Sequence, residues 1–244
     1  MRFLHSGHIG DLIAFLPCMR ALGGGDLVIT DQVGTNLAMG GFKYDSVKPL
    51  LEVQDYVQSV SYTRHPEGID YDACGFRRYW GQGSIIEMQA KELGIALPNT
   101  SAWINVQPDP TTVGRIVCCR SHRYRNDIFP WAQVVDHYRD KIVFIGLYDE
   151  YGDFTNRYGH VDSICVKDLL ELAQLIAGSD LFIGNQSSPF WIAAGMNHPL
   201  VQETHQHIRD SVVPYGGAFY SEDGSFERLN NFIKKTIDEN LVSK

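Results

Sequence analysis

Leu169–Glu203, LLELAQLIAGSDLFIGNQSSPFWIAAGMNHPLVQE, reads as helix, strand, tight polar loop, helix, strand. Asp168 can cap the first helix, with Glu171 three places on closing a capping box. Leu169, Leu172, Ala173 and Ile176 form one apolar stripe, and Gly178 is expected to stop the helix. Leu181-Phe182-Ile183 makes a short buried strand that runs into Gly184-Asn185-Gln186-Ser187-Ser188. Pro189 suits the first position of the next helix, with Ser188 as its cap. A small-residue loop between a parallel strand and a helix start is where α/β sheets bind phosphorylated ligands. An ordinary αβ loop has the same local pattern.

The theme recurs along the chain. Strand-like runs at Phe3-Leu4, Leu27-Val28-Ile29, Val57–Tyr62, Ile116–Cys119, Ile142–Ile145 and Leu200-Val201 alternate with helical stretches after Asp11, at Ser84–Leu93, at Trp131–Tyr138 and at Pro189–Met196. Such alternation means parallel sheets with helices on both faces. Val106–Thr112 has two prolines and no periodicity, so it divides the chain into residues 1–107 and 113–225. A final helix from Phe226 has apolar residues at helical spacing (Phe226, Leu229, Phe232, Ile233, Ile237) and accounts for residues 226–244.

The charge balance narrows the partners. A net charge of −8 over 244 residues argues against nucleic acid and anionic membranes. Arg115, Arg120, Arg123 and Arg125 nevertheless fall in one stretch without an acidic residue, which points to a small anion. No apolar run is long enough to cross a bilayer, and no signal-peptide pattern opens the chain, so a cytoplasmic location is expected. The five cysteines lack CxxC spacing and read as reduced, with Cys118 and Cys119 inside a strand. His205-x-His207 lacks a third ligand at a telling distance, and no metal site is expected. No nucleophile elbow, phosphate-binding Walker loop or dinucleotide fingerprint is present.

Gly10-Asp11 with Leu16-Pro17 at one end, and Gly184-Asn185-Gln186-Ser187-Ser188-Pro189 with Ala193-Ala194 at the other, resemble glycosyltransferase family 9, the ADP-heptose:lipopolysaccharide heptosyltransferases. The resemblance spans nearly the whole chain. It implies two Rossmann-like, doubly wound α/β domains facing a cleft (GT-B type), here in a compact version. The tail helix would cross back over the first domain. The implied activity is inverting, metal-independent transfer of a sugar from a nucleotide-diphosphate donor, with an ADP-linked sugar as one candidate, to a glycan or glycolipid acceptor in lipopolysaccharide assembly. No cofactor is called for.

In that resemblance Asp11 is the general base that takes the proton of the attacking hydroxyl. A helix cap is the competing reading of the same residue. Pro17, expected near the first turn, would leave Asp11 just outside the regular helix. The donor would be held by Arg120, Ser121, Arg123, Arg125 and Asn126 in one loop and by Asn185, Gln186, Ser187 and Ser188 in the other. Gly146 and Leu147 would flank the nucleotide, and Glu203 would reach ribose or sugar hydroxyls. His8, Gly10, Arg77 and Arg78 are expected on the acceptor side. The pattern departs from the family where Gln186 replaces the common Asp, Ser188 the Gly and Trp191 the His. Those departures keep two alternatives open: a catalytically silent nucleotide-sugar-binding protein, and a sugar-nucleotide epimerase of the same fold.

Overall fold

A computed structural model describes residues 1–31, 38–208, 210–211, 218–221 and 224–242. The chain separates into two compact units, Met1–Asn105 with 168–170 and 209–215, and Val106–Lys167 with 171–208 and 216–244. Each is built on its own sheet, and every pairing among the described strands is parallel.

The first sheet contains β1 (Arg2–His5), β2 (Gly25–Ile29), β3 (Val57–Tyr62) and β4 (Tyr71–Asp72), in the order β3-β2-β1-β4. Helices α1 (Ile9–Ala21), α2 (Phe42–Glu52) and α3 (Ile85–Glu92) complete it. Chain order reverses between β1 and β4, so loops from these neighbours diverge to opposite faces and leave a crevice at the strand ends. α1 is almost wholly apolar and buried along its length, from Leu12 to Met19. Pro17 lies in its interior, not in the first turn as expected. Lacking an N–H, Pro17 cannot serve the Ile13 carbonyl four residues back. The Trp103 indole takes that acceptor instead, donating at 3.2 Å, so the helix runs on through the proline.

The second sheet contains β5 (Ile116–Cys119), β6 (Ile142–Phe144), β7 (Asp162–Ser163), β8 (Leu181–Asn185), β9 (Leu200–Glu203) and β10 (Ala218–Ser221), ordered β10-β9-β8-β5-β6-β7. This is the doubly wound dinucleotide-type order, with the reversal between β5 and β8. α4 (Trp131–Tyr138), α5 (Tyr148–Tyr158), α6 (Leu169–Gly178), α7 (Ser188–Gly195) and α8 (Phe226–Val242) surround it.

Three local expectations change. The tail helix α8 places Leu229, Ile233 and Ile237 in the core of the second unit, beside Trp131, Val134 and Tyr138. That apolar stripe is satisfied there, which corrects the expectation of a crossing to the first domain. Gly178 is the last residue of α6, not a residue beyond it. A Cβ there would stand 1.9 Å from the Asp109 carbonyl oxygen, so the glycine permits a close approach. Val106–Thr112 is also more than a tether: the Asp109 N–H donates to Gln174 O at 2.9 Å and the Thr112 hydroxyl to Leu175 O at 2.7 Å. The second bond satisfies a carbonyl that the end of α6 leaves without a helical partner.

Candidate active site

At the second sheet's point of reversal, the loop after β5 meets the loop after β8. Asn185, the last residue of β8, is fully buried and ties the two together. Its Oδ1 accepts the Ser121 N–H at 3.1 Å, while its Nδ2 donates to Ser121 O at 3.0 Å and also to Arg123 O. Asn185 therefore shapes the loop and is not available to a ligand through its side chain.

Glu203, at the end of β9, is completely buried. It accepts from Arg120 Nε at 2.8 Å, Arg120 Nη2 at 2.8 Å, the Asn126 N–H at 2.8 Å and the Trp131 indole at 2.8 Å. Arg120 is equally buried, and its guanidinium lies 5.5 Å from the Tyr158 ring centre. Both residues were expected to touch the donor; here they are tied to each other, with Arg120 Nη1 buried and without a partner among the described residues. A carboxylate surrounded by four protein donors has no capacity left for sugar hydroxyls, and a guanidinium locked to it cannot follow a phosphate. Asn126 is consumed similarly, with Nδ2 donating to Thr204 O at 2.9 Å.

Arg123 and Arg125 diverge. Arg125 is held by Ser121 O at 3.0 Å, His122 Nδ1 at 2.9 Å and Asp153 at 2.7 Å. The carboxylates missing from the local sequence thus arrive from α5, since His122 also meets Asp149 at 2.9 Å. That hydrogen bond from His122 holds the Asp149 carboxyl below its ordinary range. Arg123 is exposed and stacks over Tyr124 at 4.7 Å; among the described residues no carboxylate pairs with it. Tyr124 itself has φ +54°, a left-handed conformation that costs a bulky side chain energy. Arg123 is consequently the cation of this loop with charge to offer.

Across the reversal, α7 begins at Ser188, with Ser187 as the N-cap and Pro189 in the first turn. The cap is one residue earlier than expected. Ser187 and Ser188 are half-buried and bring the helix start, with its unpaired N–H groups, to the strand ends. Gln186 is 4% exposed, and its amide is occupied: Oε1 accepts the His205 N–H at 2.9 Å and Nε2 donates to Ile208 O at 2.6 Å. Gly146 and Leu147 lie exposed beyond β6, at the same edge of the sheet.

The first sheet presents a second group at its own point of reversal. Asp11 is the third residue of α1, inside the helix and not outside it as expected. Its Oδ2 accepts the His8 N–H at 2.9 Å and forms an ion pair with Arg77 Nη2. Asp11 is therefore not the N-cap, which is His8; from the third helical position its carboxylate accepts the cap residue's N–H. Gly7 makes the geometry possible: a Cβ there would fall 2.6 Å from His5 Cε1 and 2.9 Å from Asp11 Oδ2. His5 is buried between Phe15 and Phe76. Burial, aided by the Arg77 charge, drives its pKa down to about 3, so it is a neutral ring at working pH. Arg78, placed with Arg77 on the acceptor side, pairs with Glu92 and lies over Tyr79. His8 and Gly10 are half-buried beside Asp11.

Solved structures share this fold along nearly the whole chain. A glycosyltransferase family 9 protein from Veillonella parvula superposes with a TM-score of 0.65 at 11% identity, covering 98% of this chain and 97% of that one. E. coli heptosyltransferase WaaC with ADP gives 0.64 at 12% identity, covering 97% and 100%. E. coli ADP-heptose lipopolysaccharide heptosyltransferase II gives 0.57 at 13%, covering 98% and 99%. The fold is that of the heptosyltransferases. No protein-family model matches the sequence, and no curated protein matches it significantly.

Within the heptosyltransferase fold, the sequence motifs fall where the two sheets reverse. The sequence missed Trp131, Asp149 and Asp153, which complete these networks from distant segments; no local pattern marks them. Trp191, one of the departures, is buried and packs edge-on against Phe190 at 5.4 Å. Among the described residues no helix is long and apolar enough to cross a membrane, and no cluster of three or more His, Cys, Asp or Glu is placed to hold a metal.

Proposed function

We propose that this protein is an inverting glycosyltransferase that moves a sugar from a nucleoside-diphosphate donor to a hydroxyl of a glycan or glycolipid acceptor. One observation carries the reading: exposed Arg123 and the start of α7 converge on the reversal point of a dinucleotide-type sheet. That pairing suits a diphosphate, because a guanidinium and helix-terminal N–H groups stabilise the charge that grows on a leaving phosphate. Asp11 serves as general base, accepting the acceptor's hydroxyl proton as that oxygen attacks the anomeric carbon. The nucleoside diphosphate leaves from the opposite face, so the configuration inverts. Neutralisation falls to Arg123, with Arg125 supporting the loop, and the scheme calls on no metal. ADP-linked donors are the first to try, since solved structures of the same fold are described with ADP and with an ADP-linked heptose.

A second reading, binding without transfer, is favoured by Gln186. Its amide is bound to His205 and Ile208 and has no charge to offer a sugar. Thermal shifts against ADP-, GDP-, UDP- and CMP-linked sugars identify the donor, and transfer is then followed with Asp11→Asn. We expect transfer to fall at least about 100-fold while the donor-induced shift persists. Unchanged transfer removes Asp11 as base; donor binding without transfer in the parent protein selects the second reading.

A further inference from the structure

Beyond β9 the second unit carries two histidines, His205 and His207, in one turn. The His205 N–H donates to Gln186 Oε1 at 2.9 Å, which ties this turn to the residue just before the Ser187 cap of α7. The half-buried His205 ring also meets Tyr124 edge-on, with ring centres 6.3 Å apart. Tyr124 is the ring over which Arg123 lies, and its hydroxyl accepts from Arg123 Nη2 at 2.6 Å. The left-handed φ of Tyr124 costs free energy, and in that conformation its ring reaches His205. His205 is thus in contact with both loops on which the diphosphate reading is built.

One ring nitrogen of His205 is taken and the other is not. Nδ1 accepts the His207 N–H at 3.2 Å, so Nδ1 keeps its lone pair and the proton of the neutral ring belongs on Nε2. Nε2 has no partner among the described residues. The same bond weakens a metal reading of the histidine pair, because Nδ1 is not free to ligate and no cluster of three or more ligating residues is placed there among the described residues.

We propose that His205 donates its Nε2–H to a phosphate oxygen of the donor's diphosphate, as a further contact beside Arg123 and the start of α7. This rests on the diphosphate reading and deepens it. A hydrogen bond to a charged oxygen is stronger than a neutral one. The backbone sets the tautomer before any ligand arrives, so the donor is ready without a proton shift. His205 forms no covalent bond: as the anomeric carbon–oxygen bond breaks, its electron pair stays on the leaving diphosphate, and the N–H···O contact strengthens with that charge.

A histidine that only shaped the turn would need Nδ1 and not Nε2, and this difference can be measured. Asparagine keeps an acceptor for the N–H two residues on and lacks a donor at the Nε2 position. With 15N-labelled histidine, the His205 ring signals, assigned through their loss in His205→Asn, should show the Nε2–H tautomer in the free protein. The Nε2 signal should then move on saturation with ADP and with inorganic pyrophosphate. By calorimetry His205→Asn should bind ADP about tenfold or more weakly, with a thermal midpoint close to the parent's. If the midpoint also falls, the parent's spectrum decides. An Nε2 signal unmoved at saturation, or a parent-like ADP affinity in a stable His205→Asn, overturns the assignment and leaves the transferase reading intact. A parent protein that binds none of ADP, GDP, UDP, CDP and pyrophosphate overturns both readings. A moving signal and a weakened variant, with no sugar transfer by the parent, sink the transferase reading and keep His205 as a diphosphate contact.

Discussion

Each sheet holds an ion pair where its strand order reverses, and the two pairs differ in kind. In the second unit, Arg120 and Glu203 are both within 1% of complete burial, and Glu203 has further donors in Asn126 and Trp131. In the first unit, the Arg77 side chain is 29% exposed, and a buried guanidinium nitrogen remains without a partner among the described residues. Arg120 keeps such a nitrogen too, Nη1, so the difference lies in the complete burial of the second pair and in the four donors around Glu203, which fix a loop. Glu203 holds the shape of the loops around it, and Asp11 is the carboxylate to which the proposed function gives the chemistry.

Glu203→Gln tests that separation most severely. The amide keeps the volume but leaves Arg120 charged and buried without a counter-ion, and it presents an N–H₂ group to a cluster of donors. Breaking one side of a buried pair costs about 3–5 kcal/mol. We expect a large fall in denaturation midpoint, or an insoluble protein. A midpoint close to the parent's would show that water or a neighbour relieves Arg120, and the pair would lose its standing as the fixed one.

His5 gives the next effect. Unfolded, the ring takes a proton below about pH 6.5; folded, it resists until about pH 3. Between those values the unfolded state binds the extra proton, so stability present above pH 6.5 is lost as pH falls, at up to about 1.4 kcal/mol per unit. His5→Phe retains a ring between Phe15 and Phe76 and removes the titration. Melting curves from pH 7 to pH 4 should therefore decline less steeply for the variant. Parallel curves would mean that the folded protein admits a charged ring beside Arg77.

These networks also show what was legible in the sequence. Periodicity gave the helix over Trp131–Tyr138 with its observed bounds, the strands β1, β5 and β8 at the reversal points and the two motif loops, because each writes its burial into neighbouring residues; the two-residue β4 is too short to do so. α5 escaped notice because only Phe154 of Tyr148–Tyr158 is buried and Gly152 interrupts it. That omission hid Asp149 and Asp153, and with them the fate of His122 and Arg125. Glu203 and Arg120 were visible as polar residues at strand ends, where ligands and buried networks look alike in sequence. What distinguishes them is pairing over 83 positions, which no local pattern encodes. Asp11 and Arg77, 66 positions apart, were each singled out but not joined.

The smallest effect should come from Arg77→Met. The arginine is partly solvated, so its ion pair is worth little beyond a surface bridge, about 1 kcal/mol or less. Asp11 keeps the His8 N–H and remains in the first turn of α1, where the helix dipole favours a carboxylate. Methionine can also retain much of the contact with Phe76. Equilibrium denaturation should thus place Arg77→Met within about 1 kcal/mol of the parent, well short of the loss in Glu203→Gln. If the two substitutions cost alike, both pairs are scaffold. A near-neutral result, obtained beside a collapsed Glu203→Gln, would leave the first unit's pair free to be spent on reaction.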